Sequence, residues 1–170
     1  MTDRHLVYLS IGSNVGDKKK NLDTAVDLLD KQNETSVLAV SAYYKTEPQN
    51  FRDQDWFVNA AVKIETVLEP VPLLEMLKGL ETELDQEGKP FRFGPRMIDL
   101  DIIFYDDRVV ASQRLDIPHP RMHERCFVLV PLCDIGPAVR HPVLGQTPEE
   151  LLNGIKKKES QEVILLDKEE

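Results

Sequence analysis

The sequence is poor in cysteine and has no long apolar segment, and each shortage excludes a class of protein. Its two cysteines, Cys126 and Cys133, have no zinc-like partners near them and are too few for a disulfide framework. No apolar run approaches the ~20 residues that a membrane-spanning helix needs. Because the N-terminus also lacks a signal-peptide core, we expect a cytoplasmic protein with reduced thiols and no membrane partner.

The shortage of basic residues excludes a further class. The net charge of −9 argues against a nucleic-acid binder, which needs positive charge to offset phosphates. Six of the nine arginines nevertheless lie between residues 89 and 125. A local arginine cluster in an acidic protein suits a small phosphate-rich ligand. Chance clustering on a solvated surface is the alternative.

The chain does have enough length and apolar content for a folded domain. Its 170 residues are 41% hydrophobic, which is typical of a globular protein. The sequence contains no internal repeat or low-complexity linker. Residues 1–170 are therefore predicted to form a single domain.

The most informative segment of the chain is residues 93–105. Gly94-Pro95 is typical of a turn, and residues 97–105 then predict a strand with two acids among apolar residues. Since side chains alternate along a strand, Asp99 and Asp101 point the same way, roughly 7 Å apart. The opposite face of this strand is predicted to enter a core through Ile98, Leu100, Ile102 and Phe104.

These two acids suggest a metal site. Neighbouring carboxylates repel each other unless a cation lies between them. Mg²⁺ is the natural candidate, because it binds carboxylate oxygens and shares them with substrate phosphates. Arg96 lies three residues before Asp99, where a guanidinium can hold a phosphate through two hydrogen bonds. The alternative is that Asp99 and Asp101 are only the polar face of an edge strand.

The remaining sequence predicts an α+β fold. Strands are expected at residues 6–11, 37–44 and 57–66, and helices after Asp17, which caps the first, and at 70–86. This order matches a ferredoxin-like βαββαβ core, an antiparallel sheet with helices on one face and an open opposite face. The C-terminal extension is predicted to contain strand 108–111, extended segment 115–120, helix 122–135 bent at Pro131, helix 149–158 and strand 163–166.

Two shorter segments complete the prediction from the residues alone. In strand 57–66, Phe57 and Asn59 face outward, and an aromatic ring beside an amide suits a flat heterocycle; ordinary packing is the alternative for Phe57. Residues 12–17 are interpreted as a structural turn, because they lack the endings of known phosphate-binding loops. Taken alone, Glu81 is typical of a solvated surface glutamate.

Four sequence blocks resemble one family. The segment Gly94-Pro95-Arg96-x-x-Asp99-Leu100-Asp101-Ile102-Ile103 resembles the signature of the hydroxymethyl-dihydropterin pyrophosphokinases of folate biosynthesis. The resemblance extends to Ile-Gly-Ser-Asn at 11–14. It also includes Tyr44-x-Thr46-x-Pro48, with Gln54-x-x-Phe57-x-Asn59-Ala60, and the block at 118–132 that begins Pro-His-Pro-Arg-Met.

The resemblance implies transfer of the ATP pyrophosphoryl group to the hydroxymethyl group of a reduced pterin, with release of AMP, by a monomer. Two Mg²⁺ ions would be held by Asp99 and Asp101. The resemblance also implies catalytic residues Arg92, Arg96, Asp99 and Asp101; pterin contacts Thr46, Phe57, Asn59 and Phe127; and ATP contacts Glu81, Arg96, Ile102, His119 and Arg125. His and Arg suit a triphosphate because both donate charge-assisted hydrogen bonds.

One departure from the family pattern leaves alternatives open. Members usually carry Gly-Arg-x-Arg where this chain has Asp-Gln-Glu-Gly at 85–88, and Trp where it has Phe93. Arg92 and Lys89 are the candidate substitutes. A pterin- and nucleotide-binding relative with weak turnover is one alternative, and a metal-dependent nucleotidyltransferase or nuclease is another. A zinc pair at His119 and His123 is disfavoured, because the flanking prolines oppose a helix there and no third ligand is evident.

Overall fold

The computed structural model describes residues 3–49, 53–85, 96–155 and 161–166. In chain order its elements are β1 (His5–Ser13), α1 (Lys18–Asp30), β2 (Thr35–Val40), β3 (Tyr44–Thr46), β4 (Phe57–Thr66), α2 (Pro70–Leu84), β5 (Asp99–Tyr105), β6 (Val110–Ala111), β7 (Asp116–Ile117), a 3₁₀ turn (Met122–Glu124), α3 (Cys126–Ile135), α4 (Pro148–Asn153) and β8 (Val163–Leu165). No helix in these ranges is long and apolar enough to cross a membrane.

A six-stranded antiparallel sheet organises the chain. The strand order is β5-β1-β4-β3-β8, and β2 pairs with the far half of β4. β4 is the longest strand, with ten residues, and it has β1 along one side. The mixed α/β architecture with an antiparallel sheet is thus confirmed.

The first face of the sheet is covered by α1 and α2. The predicted apolar sides of these helices, Leu22 to Leu29 and Leu73 to Leu80, pack on alternate residues of the strands. Asp17 caps α1 through the backbone N–H of Lys20, as predicted. The buried residues that the six-stranded sheet contributes to this core are Val7, Leu9, Ile11, Val58, Ala60, Val62, Ile64, Leu100, Ile102 and Tyr105.

The second face is only partly open, which corrects the prediction of helices on one face. α3 and α4 pack across one end of it, against Tyr8, Ala61 and Phe104. The cause is composition: α3 is apolar around most of its circumference, and such a helix has to be buried. No helix of the described ranges packs on the other end of this face, which is its uncovered end.

A β-bulge corrects the prediction for Phe104. Tyr8 pairs with Phe104 but the next residue, Leu9, pairs with Ile102, so Ile103 has no opposite residue on β1. An extra residue in one strand shifts the alternation of side chains beyond it. Ile103 and Phe104 therefore both pack in the core on the second face, under α3 and α4. Leu100 and Ile102 pack in the core on the first face, as predicted.

Three predicted boundaries also change. The strand expected at 37–44 is divided into β2 and β3 around Ser41, whose hydroxyl oxygen accepts a hydrogen bond from the Ala61 N–H at 2.8 Å. The helix expected at 122–135 breaks at Arg125, whose backbone is extended (φ −115°, ψ 107°), and not at Pro131. β1 continues through Gly12 and Ser13, which were expected in a turn.

Candidate functional site

A cavity of about 270 Å³ lies at the uncovered end of the second face. Eight residues predicted from the sequence as site residues line it: Thr46, Phe57, Asn59, Arg96, Asp99, Asp101, Arg125 and Phe127. They come from separate parts of the chain, namely β3, β4, the start of β5 with the residues just before it, and the start of α3 with its N-cap. The fold therefore gathers these predicted residues around one space.

The floor of the cavity is made by small residues of β1. Gly12 lies between Asn59 of β4 and Asp99 of β5, and Ser10 pairs with Asp101. A Cβ at Gly12 would lie 2.3 Å from Nδ2 of Asn59, which is closer than real contacts allow. A larger residue at this position would therefore displace the Asn59 amide. Sequence reasoning assigned Gly12 to a turn and missed this role.

Asn59 is fixed in place by two hydrogen bonds. Its Oδ1 accepts from the hydroxyl of Thr46 at 2.5 Å, and its Nδ2 donates to the carbonyl of Ile11 at 3.3 Å. Thr46 and Asn59 are both buried. A fixed carboxamide at a cavity wall is suited to reading the donors and acceptors of a flat ring.

Asn14 joins two rims of the cavity and was another residue without a predicted role. It is 2% exposed. Its Oδ1 accepts from the N–H of Arg96 at 2.7 Å, and its own N–H donates to the Arg96 carbonyl at 2.9 Å. Its Nδ2 donates to Oε1 of Gln54 at 2.8 Å and to the Asp55 carbonyl at 3.1 Å. The backbone of Arg96 is thereby tied to the loop before β4.

The two acids lie on one side of β5, as predicted, and both are half-buried. Nε of Arg96 is 3.9 Å from Oδ1 of Asp99. Among the described residues no group of three or more His, Cys, Asp or Glu is placed to hold a metal. Two carboxylates still fit Mg²⁺, because this ion usually takes only one or two from the protein and fills its shell with phosphates and water.

Arg125 supplies a half-buried positive charge at the cavity. Its guanidinium carbon lies 5.5 Å from the centroid of the Phe127 ring. Burial lowers the pKa of Arg125, and nearby Arg121 lowers it further, whereas Asp101 raises it. Its Nε is buried and has no hydrogen-bond partner within the part of the chain that the structure describes. A buried donor of this kind suits an anionic ligand.

Two predicted ATP contacts, Glu81 and Ile102, do not line this cavity but belong to the first face. Ile102 is part of the core there. Glu81 is 3% exposed, its Oε2 accepts from the N–H of Leu100 at 2.7 Å, and its Oε1 accepts from Lys78 at 3.2 Å. The interpretation of Glu81 as a solvated glutamate is therefore wrong: it holds the start of β5 from behind.

The third ATP contact outside the cavity lining is His119. Its Nδ1 accepts from the N–H of Arg121 at 3.2 Å. Burial lowers the pKa of His119 to about 4, with contributions from Arg125 and Arg121. The ring is therefore neutral at pH 7 in the protein alone. Because Nδ1 accepts a hydrogen bond, the ring proton lies on Nε2, which can donate to an anionic phosphate oxygen.

Several predicted residues lie outside the described ranges. These are Arg92, Lys89, Gln86, Gly88, Phe93 and the Gly94-Pro95 turn. The catalytic role of Arg92 stays a prediction.

Comparison with known proteins agrees with this geometry. A family model described as 7,8-dihydro-6-hydroxymethylpterin-pyrophosphokinase matches residues 8–137. A 2-amino-4-hydroxy-6-hydroxymethyldihydropteridine pyrophosphokinase of Bacillus subtilis is 42% identical over 77% of this chain and 78% of its own length. The folic acid synthesis protein FOL1 of Dictyostelium discoideum is 42% identical over 86% of this chain, but the match spans only 22% of that longer protein.

A solved structure supports the fold. The chain matches the Plasmodium falciparum HPPK-DHPS wild-type structure with pteroate at a TM-score of 0.73 and 16% identity, over 90% of this chain and 42% of that one. At such low identity the match concerns the fold only. The family model covers most of the chain and the Bacillus subtilis relative covers similar residues. The chain therefore belongs to the 7,8-dihydro-6-hydroxymethylpterin-pyrophosphokinase family.

Proposed function

We propose that this chain transfers the pyrophosphoryl group of ATP to 6-hydroxymethyl-7,8-dihydropterin, giving AMP and the pterin diphosphate for tetrahydrofolate synthesis. The observation that carries the proposal is the single cavity that joins the Thr46–Asn59 pair to Asp99, Asp101 and Arg125. One end has fixed polar groups beside aromatic rings, and the other has paired acids beside arginines. A substrate that has a flat ring and a hydroxyl group that accepts phosphate needs both ends: the first binds the ring, and the second binds the phosphates.

The pterin end of the proposed site is formed by β3, β4 and α3. Phe57 and Phe127 stack against the two faces of the ring. Offset aromatic contacts of this kind add about 0.5–1.5 kcal/mol beyond area burial. Asn59, held by Thr46, reads the polar edge of the ring. Gly12 leaves the floor open beneath that edge.

The phosphate end is formed by the arginines and acids. Arg96 and Arg125 bind triphosphate oxygens and offset their charge, which is the main task of a protein in phosphoryl transfer. Asp99 and Asp101 are the residues that would hold two Mg²⁺ ions. The chemistry that these ions would supply there is positive charge, which would stabilise the charge of the transition state. Asn14 keeps Arg96 at the rim through its backbone bonds.

Further parts of the proposal rest on the family resemblance. Glu81, Ile102 and His119 contribute to the ATP side, with Glu81 acting through the backbone of Leu100. Arg92 acts on the transition state in place of the arginines missing at Gln86 and Gly88. The strand order β5-β1-β4-β2 supports a ferredoxin-like core with a C-terminal extension. The chain acts as a monomer on ATP and the reduced pterin and binds no nucleic acid.

The test is direct product analysis. The protein is incubated with ATP, Mg²⁺ and 6-hydroxymethyl-7,8-dihydropterin, and AMP and pterin diphosphate are separated and quantified. We expect the two products in equal amounts, and neither when the pterin or Mg²⁺ is omitted. Release of ADP, or AMP formation without the pterin, would contradict the proposal.

The departure at residues 86 and 88 favours a second candidate, a pterin- and nucleotide-binding relative with weak turnover. Single-turnover kinetics separate the two, because they isolate the chemical step from product release. A chemical step that is slow in the native protein and accelerates in the Gln86→Arg/Gly88→Arg variant supports the second candidate. A fast step in the native protein rules it out.

A further inference from the structure

The C-terminal segment 161–166 reaches the cavity, although it lies beyond the residues that the family model matches. Its strand β8 pairs with β3, with Thr46 opposite Val163 and Tyr44 opposite Leu165. The N–H of Glu47 donates to the Glu162 carbonyl at 3.0 Å. β3 has only three residues, and β8 gives it a second neighbour in the sheet besides β4.

One side chain of this segment lies between two walls of the cavity. Gln161 lines the cavity and is 9% exposed. Its Oε1 accepts from the N–H of Phe127 at 3.1 Å, and its Nε2 donates to the carbonyl of Glu47. A single carboxamide thus joins the start of α3 to the residue after Thr46.

The bond to Phe127 has a clear physical reason. The first N–H groups of a helix have no acceptor within the helix and need one from elsewhere. Arg125, at the N-cap of α3, makes no side-chain capping bond. Gln161 supplies the acceptor from a distant part of the chain, and so it caps the helical turn that carries Phe127 and follows Arg125.

We infer that Gln161 is a positioning residue for the pterin site. This inference rests on the function proposed above. Gln161 holds the backbone of Phe127 at a fixed separation from the backbone of Glu47, beside Thr46. The two walls that are proposed to enclose the pterin are therefore set by one hydrogen-bonded side chain. Gln161 is not proposed to take part in chemistry or to bind the ATP phosphates.

Two substitutions separate the two bonds. Gln161→Ala removes both. Gln161→Glu keeps an acceptor for the Phe127 N–H. Its carboxylate has no proton to donate, so it cannot form the hydrogen bond to the Glu47 carbonyl. Glu162→Ala is the matched control, because Glu162 is the next residue and has an exposed side chain, and its backbone bond to Glu47 is unaffected.

The experiment compares KM for the pterin, KM for ATP, kcat and melting temperature in these variants. For Gln161→Ala we expect KM for the pterin to rise about fivefold or more, because both hydrogen bonds of Gln161 are lost, with KM for ATP and kcat near their native values. We expect a rise for Gln161→Glu as well, because its carboxylate repels the Glu47 carbonyl oxygen, and none for Glu162→Ala. Hydrogen–deuterium exchange of the Phe127 amide should accelerate in Gln161→Ala and stay protected in Gln161→Glu.

Several results overturn the inference. One is an unchanged KM for the pterin in Gln161→Ala. Another is an equal rise in both KM values with a lower melting temperature, which indicates a general structural role. Unchanged exchange of the Phe127 amide in Gln161→Ala removes its physical basis. A native protein that binds no pterin and forms no AMP overturns the proposed function itself and the inference with it, and that outcome is visible before any variant is made.

Discussion

The two faces of the sheet differ in how completely the protein covers them. On β1, Leu9 and Ile11 point into the first core and are fully buried there. Their neighbours Ser10 and Gly12 point to the second face and form the floor of the cavity. Along β1, large side chains that fill the first core thus alternate with small residues that leave room for the cavity.

The two faces also differ in whether their buried charged groups have hydrogen-bond partners within the described ranges of the chain. On the first face, the buried carboxylate of Glu81 is bonded to both Lys78 and the Leu100 N–H. On the second face, Nε of Arg125 is buried with no bond among the described residues. Buried polar atoms are normally satisfied. The Glu81 carboxylate thus has its partners within the chain, whereas the Arg125 donor at the cavity suits an anionic ligand.

The largest expected effect is on activity at the second face. Asp99→Ala and Asp101→Ala should lower kcat by about a thousandfold or more, because loss of a metal ligand removes several kcal/mol of transition-state stabilisation. Their melting temperatures should stay close to native, since neither carboxylate packs in a core. Asp107→Ala, an acid on the exposed turn after β5, is the control. Native-like turnover in both cavity variants would contradict the metal assignment.

On the first face the expected effect is on stability instead. Leu77→Ala empties a fully buried position between α2 and the sheet, and it should lower the free energy of unfolding by about 2–5 kcal/mol. Denaturant unfolding measures this. Turnover per folded molecule, assayed well below the midpoint, should remain native. Val109→Ala, at an exposed valine, should change stability by less than about 0.5 kcal/mol.

Gly12→Ala tests the floor of the cavity. The added Cβ displaces the Asn59 amide, so pterin affinity should fall about tenfold, whereas ATP affinity should change little. Calorimetric titration with each ligand measures both. Gly79→Ala is the control, because a Cβ there meets nothing within 4 Å and alanine favours a helix. Equal losses for both ligands would show that the floor does not discriminate between them.

The smallest expected effect is a pH dependence at His119. Its pKa is lowered to about 4 in the folded protein, against an ordinary value of about 6.5 in the unfolded chain. Between these values the unfolded state binds more protons, so stability is lost as the pH falls from about 6.5 to 4. The melting temperature of His119→Gln should fall less over this range than that of the native protein. His141, whose pKa is also lowered by burial, leaves part of the dependence in the variant. Equal falls would contradict the shift.

The sequence predicts those parts of the fold and of the site that depend on local patterns of residues. The alternation in Phe57–Thr66 placed Asn59 and Val58 on their correct faces, because a strand has a fixed period of two. The bulge at Ile103 breaks that period, and nothing in an apolar run marks where an extra residue falls. The roles of Gly12 and Gln161 depend on contacts with Asn59 and Phe127, which are distant in sequence. Such contacts appear only once the strands are paired.

The most direct test of the account is the location of the bound ligands. Amide chemical shifts of the isotope-labelled protein are compared before and after addition of the reduced pterin and a non-hydrolysable ATP analogue with Mg²⁺. We predict that the largest changes occur at residues 10–14, Thr46, Asn59, residues 96–101 and Phe127, and that α1 and the outer side of α2 change little. Changes concentrated on α1 and α2, with the cavity residues unaffected, would contradict the assignment of the second face as the functional site.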